Sequence, residues 1–260
     1  MTLTTPKNTK KRRTPTHSEP VLPPEISAWF ARRRWKPRAH QLALLKAAQQ
    51  RRSTLLIAPT GAGKTLAEFL PSLVALGSGK QQKKGAGLFT LYISPLKALA
   101  TDVARNLIEP IEEMGLGIRT ETRTGDTSIA RRQRQRVKPP QILLTTPEQV
   151  ALLLSHPDAP HLFADLDTII LDELHALAPS KRGDLLALDL ARLRTITPDA
   201  MMVGLSATVA RPSELRGYLM PQTDPDRVTH LADLVTVEGG AKPEISILEV
   251  EDEIPWSGHT

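Results

Sequence analysis

Short apolar runs and longer amphipathic segments alternate along most of the chain. Each apolar run is followed by a polar loop and then by apolar residues at helical spacing. The runs predicted to be strands are Ser53–Ile57, Leu88–Ile93, Gly117–Thr120, Ile142–Thr145, Thr168–Leu171 and Met201–Leu205. This alternation predicts βαβ units, and therefore an α/β fold whose mostly parallel sheet has helices on both faces.

The helices are predicted between these strands. The pattern becomes helical at Glu25, and further helical segments are His40–Arg52, Leu96–Glu113 and Asp184–Arg194. Another helix opens at Lys64, directly after the first strand. Because Pro71 lies inside that helix and has no backbone N–H, we expect a kink or a break there.

Composition divides the chain into three parts. Residues 1–22 are rich in Thr, Pro and Lys, which predicts a disordered basic tail. Residues 23–220 carry the strand and helix pattern and are predicted to form one domain. Beyond Pro221 the alternation fades, and residues 221–260 are expected to be a connector without a further βα unit.

Bulk properties exclude several classes of protein. With 260 residues and 40% hydrophobic content the chain can form a full core, and the lack of cysteine excludes disulfides, a thiol nucleophile and cysteine-based zinc. No apolar run approaches the roughly 18 residues that span a bilayer, and no signal peptide is recognisable. We therefore expect a cytosolic protein without membrane contact. The net charge of +6 suggests a polyanionic partner, unless the basic run Lys10–Arg13 alone shifts the balance.

The loop after the first strand is the most specific motif. Ala58–Thr65 reads APTGAGKT, and the N–H groups of such a turn and of the following helix favour anions. Lys64 is expected to reach the β/γ-phosphates of a nucleotide, and the Thr65 hydroxyl to bind Mg²⁺. Gly61 and Gly63 permit close backbone approach. The alternative is a glycine-rich turn with a solvated lysine.

Two other strand ends carry acidic and hydroxyl groups. Asp172 and Glu173 follow Thr168–Leu171, where the first carboxylate can hold Mg²⁺ and the second can polarise an attacking water. The alternative for Asp172 is an N-cap. Ser206 and Thr208 follow Met201–Leu205 and can hydrogen-bond to the acidic pair, or can simply form a Ser/Thr turn.

Two further strand ends suit a phosphodiester backbone. SPLKAL at residues 94–99 and TPE at residues 146–148 both open helices, whose N-terminal N–H groups can bind phosphate, although proline there is also ordinary capping. A polar loop at residues 119–127 precedes an arginine run. The arginines of that run, which predict either a solvated helix or a nucleic-acid contact, are Arg131, Arg132, Arg134 and Arg136.

Taken in chain order, six signals resemble superfamily 2 helicases across Trp35–Met220. They are Gln41, APTGAGKT, SPLKAL, TTPE, DELH and SAT. The segments ARRRWKPRAHQLALL, LYISPLKALATDVARNL, TRTGDT and SKRGDLLALDLARL resemble the Lhr type, and the nearest resemblance is to the bacterial ligase-associated DEXH-box helicases of the DNA damage response. This resemblance implies a RecA-like P-loop NTPase domain that couples ATP hydrolysis to movement along a nucleic-acid strand.

The resemblance also implies a role for each matching residue. The residues that would bind ATP are Arg38 and Gln41 at the adenine, and Thr60, Gly61, Ala62, Gly63, Lys64 and Thr65 at the phosphates. Thr65 and Asp172 would bind Mg²⁺, Glu173 would be the general base, and Lys64 and Asp172 would share in catalysis. The residues that would couple ATP state to the nucleic acid are His175, Ser206 and Thr208. The strand-binding face would include Ser94, Lys97, Arg123, Thr146 and Glu148.

The implied partners are DNA, as a single strand or a duplex junction, and a DNA ligase and nuclease of the same repair pathway. An aromatic content of 3% fits backbone binding, because stacking platforms need aromatic side chains. The resemblance implies a second RecA-like domain that supplies arginine fingers, worth about 10³–10⁵ in rate. Residues 234–260 resemble the connector to that domain, so the chain is expected to be an N-terminal fragment.

Three hypotheses follow. The first is the ATP-binding half of a DNA-dependent ATPase and helicase, and the second is a module that binds ATP·Mg²⁺ and DNA with little turnover. The third is an unrelated P-loop enzyme such as a small-molecule kinase. Ala58 disfavours the third, because many kinases keep a glycine at this position, and so do the TTPE and SAT segments.

Overall fold

The computed structural model describes residues 20–59, 62–78, 87–207, 209–224 and 226–237. The strands are β1 Thr54–Ile57, β2 Thr90–Ile93, β3 Thr120–Arg123, β4 Ile142–Thr145, β5 Thr168–Leu171, β6 Met201–Ser206 and β7 Asp233–Thr236. The helices are α1 Pro24–Arg32, α2 Ala39–Gln49, α3 Lys64–Gly77, α4 Lys97–Glu113, α5 Ile129–Val137, α6 Pro147–Leu154, α7 Ala159–Leu162, α8 Leu174–Leu177, α9 Lys181–Ile196 and α10 Pro212–Tyr218. Across these ranges no helix combines the length and apolar character needed to cross a membrane.

The described strands form one sheet in the order β3-β4-β2-β5-β6-β1-β7, and neighbouring strands are parallel. The register aligns the last residues of neighbouring strands, for example Ile57 with Ser206 and Ile93 with Leu171. All the carboxyl ends therefore lie along one edge of the sheet. Because β6 separates β1 from β5, the loops that follow these three strands are neighbours at that edge.

Alternate residues of each strand pack into different hydrophobic cores. Leu56 and Tyr92 belong to the core formed with α1, α2, α3 and α4, whereas Leu55 and Leu91 belong to the core formed with α6 to α10. The central strands are buried along their whole length, as is typical of a parallel sheet covered on both sides. The predicted α/β architecture with helices on both faces is confirmed.

The two edge strands depart from the sequence prediction. The third strand is Thr120–Arg123 rather than Gly117–Thr120, because its register is set by pairing with Ile142–Thr145. The strand Asp233–Thr236 lies in the stretch where no regular structure is predicted, and it pairs with β1. Edge strands are partly exposed, so a hydrophobic run does not mark them.

Of the kink or break predicted at Pro71, the break is absent, because α3 continues through this residue to Gly77, and the kink stays a prediction. Pro71 and most of its helical neighbours are buried against α2 and the sheet. Packing of this face outweighs the missing hydrogen bond, since most helix stability in proteins comes from tertiary contacts.

Some predictions fall outside the described residues. These are the basic tail up to residue 19, Thr60 and Gly61 of the phosphate loop, Thr208, and the connector from residue 238 onward.

Gly183 lets α9 pack closely against the end of α8. A Cβ atom at this position would lie 2.3 Å from the Leu177 carbonyl oxygen and 2.6 Å from that of Ala178. Backbone atoms cannot move aside as a flexible side chain can. The close approach fixes α9 relative to the loop that carries Asp172 and Glu173.

We expect Gly183→Ala to lower the free energy of unfolding by about 1–3 kcal/mol through overpacking. Urea denaturation measures the change. Gly117→Ala is the matched control, because a Cβ atom there meets nothing within 4 Å. Equal stability of the two variants would contradict the packing of α9 described above.

Candidate functional site

The phosphate loop joins β1 to α3. Gly63 adopts the left-handed conformation, with φ of 73°, and α3 begins at the next residue, Lys64. A residue with a Cβ atom is strained in this conformation, which explains the glycine. No side chain caps the first turn of α3. The N–H groups of that turn are therefore available to an anion.

Arg38 and Gln41, to which the resemblance assigns the adenine, lie beside this loop. A Cβ atom built on Gly63 would be 3.3 Å from Arg38 Nη1 and 3.7 Å from Gln41 Nε2. Gln41 is buried, and its Oε1 accepts a hydrogen bond from the Arg38 backbone N–H at 2.8 Å. This bond fixes the Gln41 side-chain amide and does not use its NH₂ group.

A cavity of about 420 Å³ opens next to these two residues. It is lined by Phe30, Arg34, Trp35, Lys36, Arg38, Gln41, Gly63 and Leu66. Its size lies in the range of small-molecule sites. Trp35 is half exposed and presents its ring at the cavity, a position that the sequence does not predict.

His40 is a second residue beside this loop without a predicted role. Its ring is buried and contacts the backbone of Ala62. Burial is the main cause, and the positive charge of Arg38 the second cause, that lower the pKa of His40. The side chain is therefore neutral at physiological pH and helps to pack the phosphate loop.

Asp172 lies at the end of β5 and is held from two sides. Its Oδ1 accepts a hydrogen bond from the Glu173 backbone N–H at 2.8 Å, and its Oδ2 accepts one from the Tyr92 hydroxyl at 2.5 Å. Asp172 is not the N-cap of α8, because Glu173 occupies that position. Glu173 has φ of 47°, which is a strained conformation for a residue other than glycine, and such strain is concentrated at functional sites.

The phosphate loop and the acidic pair meet across β6. Lys64 Nζ lies 4.0 Å from Glu173 Oε1, and His175 Nδ1 lies 3.4 Å from Glu173 Oε2. Glu68 on α3 is buried near Asp172 and Lys64. Its burial is the main cause, and the charge of Asp172 the second cause, that raise the pKa of Glu68 well above its ordinary value. No sequence signal identified Glu68, since its helix position is equally compatible with exposure.

These residues fit a divalent cation that is shared with a phosphate ligand. Within the described ranges no three His, Cys, Asp or Glu side chains are grouped to hold a metal by themselves. Magnesium is usually bound by one or two carboxylates together with phosphate oxygens and water. Asp172 provides an oriented carboxylate, and its neighbours Glu68 and Glu173 add acidic groups. Thr65 lies in the first turn of α3.

Ser206 ends β6 between the two halves of this site. It is fully buried, and its Oγ has no hydrogen-bond partner within the described residues. Its carbonyl accepts a hydrogen bond from the Ala58 N–H at 3.1 Å, so the phosphate loop is tied to β6. The expected hydrogen bond from the Ser206 hydroxyl to the acidic pair is absent among the described residues, and the contact that is present is the backbone bond to Ala58.

The residues predicted to line a strand-binding face share one edge of the sheet but differ in exposure. Ser94, Arg123 and Thr146 are buried. Their side chains therefore present little surface to a nucleic acid. Burial and the charges of Arg132 and Arg136 lower the pKa of Arg123 to about 10. Lys97 is exposed, and its Nζ lies 2.7 Å from Asp126 Oδ2.

Arg182 joins two of these segments and has no counterpart in the sequence prediction. Its Nε and Nη2 donate to the Glu148 carboxylate at 2.5 and 3.0 Å, and its Nη1 donates to the Pro95 carbonyl at 2.7 Å. Arg182 lies in the first turn of α9, directly after α8. It therefore joins the start of α9 to both segments of the predicted strand-binding face, and α9 follows the acidic motif and α8 in the chain.

The arginine run on α5 is largely engaged within the chain. Arg131 and Arg134 both contact the Glu121 carboxylate, at 3.2 and 2.9 Å, and Arg132 donates to the Gly125 carbonyl at 2.6 Å. These contacts favour a structural role for the three arginines over the nucleic-acid contact.

Comparison with known proteins gives a family match and relatives. Residues 38–215 match the family described as DEAD/DEAH box helicase. The chain is 40% identical over 215 residues to the Lhr helicase/uracil glycosylase of Escherichia coli K12, covering 76% of this chain and 14% of that protein. It is 37% identical over 216 residues to the ATP-dependent helicase Lhr-Core protein 2 of Thermococcus barophilus, covering 79% of this chain and 25% of that protein.

A solved structure with a similar fold is that of Mycobacterium smegmatis helicase Lhr bound to ssDNA and AMP-PNP. The TM-score is 0.72 and the identity 36%, and the match covers 83% of this chain and 27% of that chain. The predicted RecA-like fold of the helicase type is confirmed by this likeness. The chain spans about a quarter or less of the length of all three relatives.

We expect Arg182→Gln to raise the pKa of Glu148, because the Arg182 hydrogen bonds are the main cause that lowers it. A carboxylate with a lowered pKa stabilises the fold when the pH is above the ordinary pKa of Glu. This contribution is lost as the pH falls through the lowered pKa. The variant should therefore lose up to about 1 kcal/mol of this pH-dependent stability at neutral pH. In strong acid this part of the difference disappears, and only the loss of the hydrogen bond to the Pro95 carbonyl remains. NMR titration of the carboxyl carbons and urea unfolding measure both effects.

Arg105→Gln is the control for that variant, because Arg105 lies 3.8 Å from Asp102 on the exposed side of α4, with no contact to Glu148 among its described interactions. It should leave the Glu148 pKa unchanged. An unchanged Glu148 pKa in Arg182→Gln would refute the bridge.

Proposed function

The chain belongs to the DEAD/DEAH box helicase family, and from this membership we propose that it is the ATP-binding part of an ATP-dependent helicase of the Lhr type. The substrate is a DNA strand, and ATP hydrolysis is coupled to movement along it. Residues 23–220 form the ATP-binding domain, and residues 221–260 lead to a second RecA-like domain.

The observation that carries this proposal is the approach of Lys64 to Glu173, at 4.0 Å, across the end of β6. It brings a phosphate-binding lysine and an acidic pair to one place at the carboxyl edge of a parallel sheet. Ligands of open α/β sheets bind at that edge. The cavity beside Arg38 and Gln41 opens next to the same loop and has room for a purine ring.

Each side chain then has a defined task. Lys64, with the N–H groups of residues 60–65, binds the phosphates, and Arg38 and Gln41 bind the adenine. Glu173 accepts a proton from the water whose oxygen attacks the γ-phosphorus, while the bond from that phosphorus to the β–γ bridging oxygen breaks and ADP leaves. When bound by Thr65 and Asp172, Mg²⁺ neutralises charge on the β- and γ-phosphates.

His175 and Ser206 couple the nucleotide site to the nucleic acid, together with Thr208. His175 Nδ1 lies 3.4 Å from Glu173 Oε2, and the Ser206 carbonyl accepts a hydrogen bond from the Ala58 N–H at the start of the phosphate loop. A change at the γ-phosphate therefore reaches both residues through short contacts. From the acidic pair it reaches Arg182 through α8 and the start of α9.

DNA is bound through its backbone at the segments that contain Ser94, Lys97, Arg123, Thr146 and Glu148. Because Ser94 is buried, the phosphates contact backbone N–H groups at the uncapped start of α4. The start of α6 offers fewer donors, because Pro147 has no N–H and the Gln149 N–H donates to the Thr146 carbonyl at 3.0 Å. The M. smegmatis relative is described as bound to ssDNA, which supports DNA as the ligand. The net charge of +6 favours the approach of a polyanion.

A second candidate function is a module that binds ATP and DNA but turns over slowly by itself. The arginine fingers of this class belong to the second RecA-like domain, and such a finger is worth about 10³–10⁵ in rate. The role in DNA repair, the ligase-associated subtype, the ligase and nuclease partners and the cytosolic or nucleoid location stay predictions.

Lys64→Ala should weaken nucleotide binding severely, because it removes the cation that faces the phosphates. It also removes the positive charge beside Glu173. Fluorescence titration with a labelled ATP analogue measures the dissociation constant. Lys138→Ala, at an exposed lysine directly after α5, is a control that keeps the phosphate loop intact. Normal binding by Lys64→Ala would show that the phosphate-loop assignment is wrong.

We expect this chain alone to show little or no DNA-stimulated ATP hydrolysis. A coupled phosphate-release assay with and without single-stranded DNA measures the rate, with Glu173→Gln as the background. DNA-stimulated turnover at ordinary helicase rates would reject the slow module and favour the complete motor.

A further inference from the structure

Tyr92 is buried in the central strand β2, on the face that packs against α3. Its ring stacks on Phe69 with centroids 5.5 Å apart and an interplanar angle of 30°. Its hydroxyl reaches the neighbouring strand end and donates to Asp172 Oδ2 at 2.5 Å. The ring is therefore fixed by packing, while its polar end contacts an acidic group of the candidate site.

This contact decides how the Asp172 carboxylate is oriented. Oδ1 is held by the Glu173 N–H at 2.8 Å, so loss of the Tyr92 bond leaves only one fixed oxygen and lets the carboxylate rotate. The Tyr92 hydroxyl therefore fixes the second oxygen of the Asp172 carboxylate.

We propose that Tyr92 is a positioning residue that orients Asp172 for a divalent cation shared with the nucleotide phosphates. This inference rests on the proposed ATP·Mg²⁺ site. Partners that hydrogen-bond to a metal-binding carboxylate set its geometry, and their removal typically costs about 10–100-fold in metal affinity or activity.

The competing explanation is that Asp172 merely provides the hydrogen-bond partner that the buried Tyr92 hydroxyl needs. The other tyrosine of the chain provides a matched comparison. Tyr218 is also largely buried, and its hydroxyl donates to the Gly183 carbonyl at 2.6 Å rather than to an acid. Loss of either hydroxyl removes one short hydrogen bond. Only the loss at Tyr92 should change the response to Mg²⁺.

The experiment measures binding of a fluorescent, non-hydrolysable ATP analogue to the full chain, in Mg²⁺ and in EDTA. Tyr92→Phe should weaken binding by about tenfold in Mg²⁺ and leave it unchanged in EDTA. Tyr218→Phe should match wild type under both conditions. An equal gain from Mg²⁺ in Tyr92→Phe and wild type would overturn the proposal.

The wild-type titration separates this inference from the function on which it rests. If wild type binds the analogue with no gain from Mg²⁺, or does not bind it, the ATP·Mg²⁺ site itself fails and the role of Tyr92 fails with it. If wild type shows the gain and Tyr92→Phe retains it, only the positioning role is wrong.

A second measurement applies if Tyr92→Phe does not fold. Incorporation of 3-fluorotyrosine labels two sites, Tyr92 and Tyr218, and Tyr218→Phe assigns the ¹⁹F resonances. Addition of Mg²⁺ to the protein with bound nucleotide should shift the Tyr92 resonance and leave that of Tyr218 in place. Equal responses of both resonances, or no response at Tyr92, would exclude the proposed contact.

Discussion

The place where Lys64 approaches Glu173 brings several acidic groups together inside the fold. Asp172 and Glu68 are buried beside this pair, and burial of charged groups without full pairing costs several kcal/mol. The fold limits this cost by raising the pKa of Glu68 and by hydrogen bonds to Asp172 from Tyr92 and from a backbone N–H. A site of this kind suits the binding of a metal–phosphate ligand, although it lowers the stability of the fold. The left-handed backbone at Glu173 adds strain at the same point.

This arrangement exists because β6 lies between β1 and β5. Each of these strands has a short buried sequence, and their parallel register brings Ile57, Ser206 and Leu171 to one edge. Helices on both faces exclude water from the strands and leave that edge as the place where loops can vary. The phosphate loop, the acidic motif and the Ser206 hydroxyl are thereby neighbours, although they are far apart in the chain.

Two side chains join the site to its surroundings. Tyr92 connects β2 with Asp172, and Arg182 connects α9 with Glu148 and with the Pro95 carbonyl. The close packing at Gly183 fixes the start of α9 relative to α8. The segments proposed to contact nucleic acid are consequently linked to the start of α9 by hydrogen bonds, and the start of α9 packs against the end of α8.

The sequence by itself determined the α/β class, most of the central strands, the start of α3 at Lys64 and the residues of the phosphate loop and the acidic pair. These features are local, because the hydrophobic periodicity, the glycine positions and the motifs each depend on residues that are close together in the chain. The tertiary structure alone decided the edge strands Thr120–Arg123 and Asp233–Thr236, whose register depends on a partner strand. It also decided the unbroken helix at Pro71 and the contacts of Glu68, Tyr92 and Arg182. Each of these depends on contacts between residues that are distant in the chain, and burial and pairing of that kind leave no periodic signal in a single sequence.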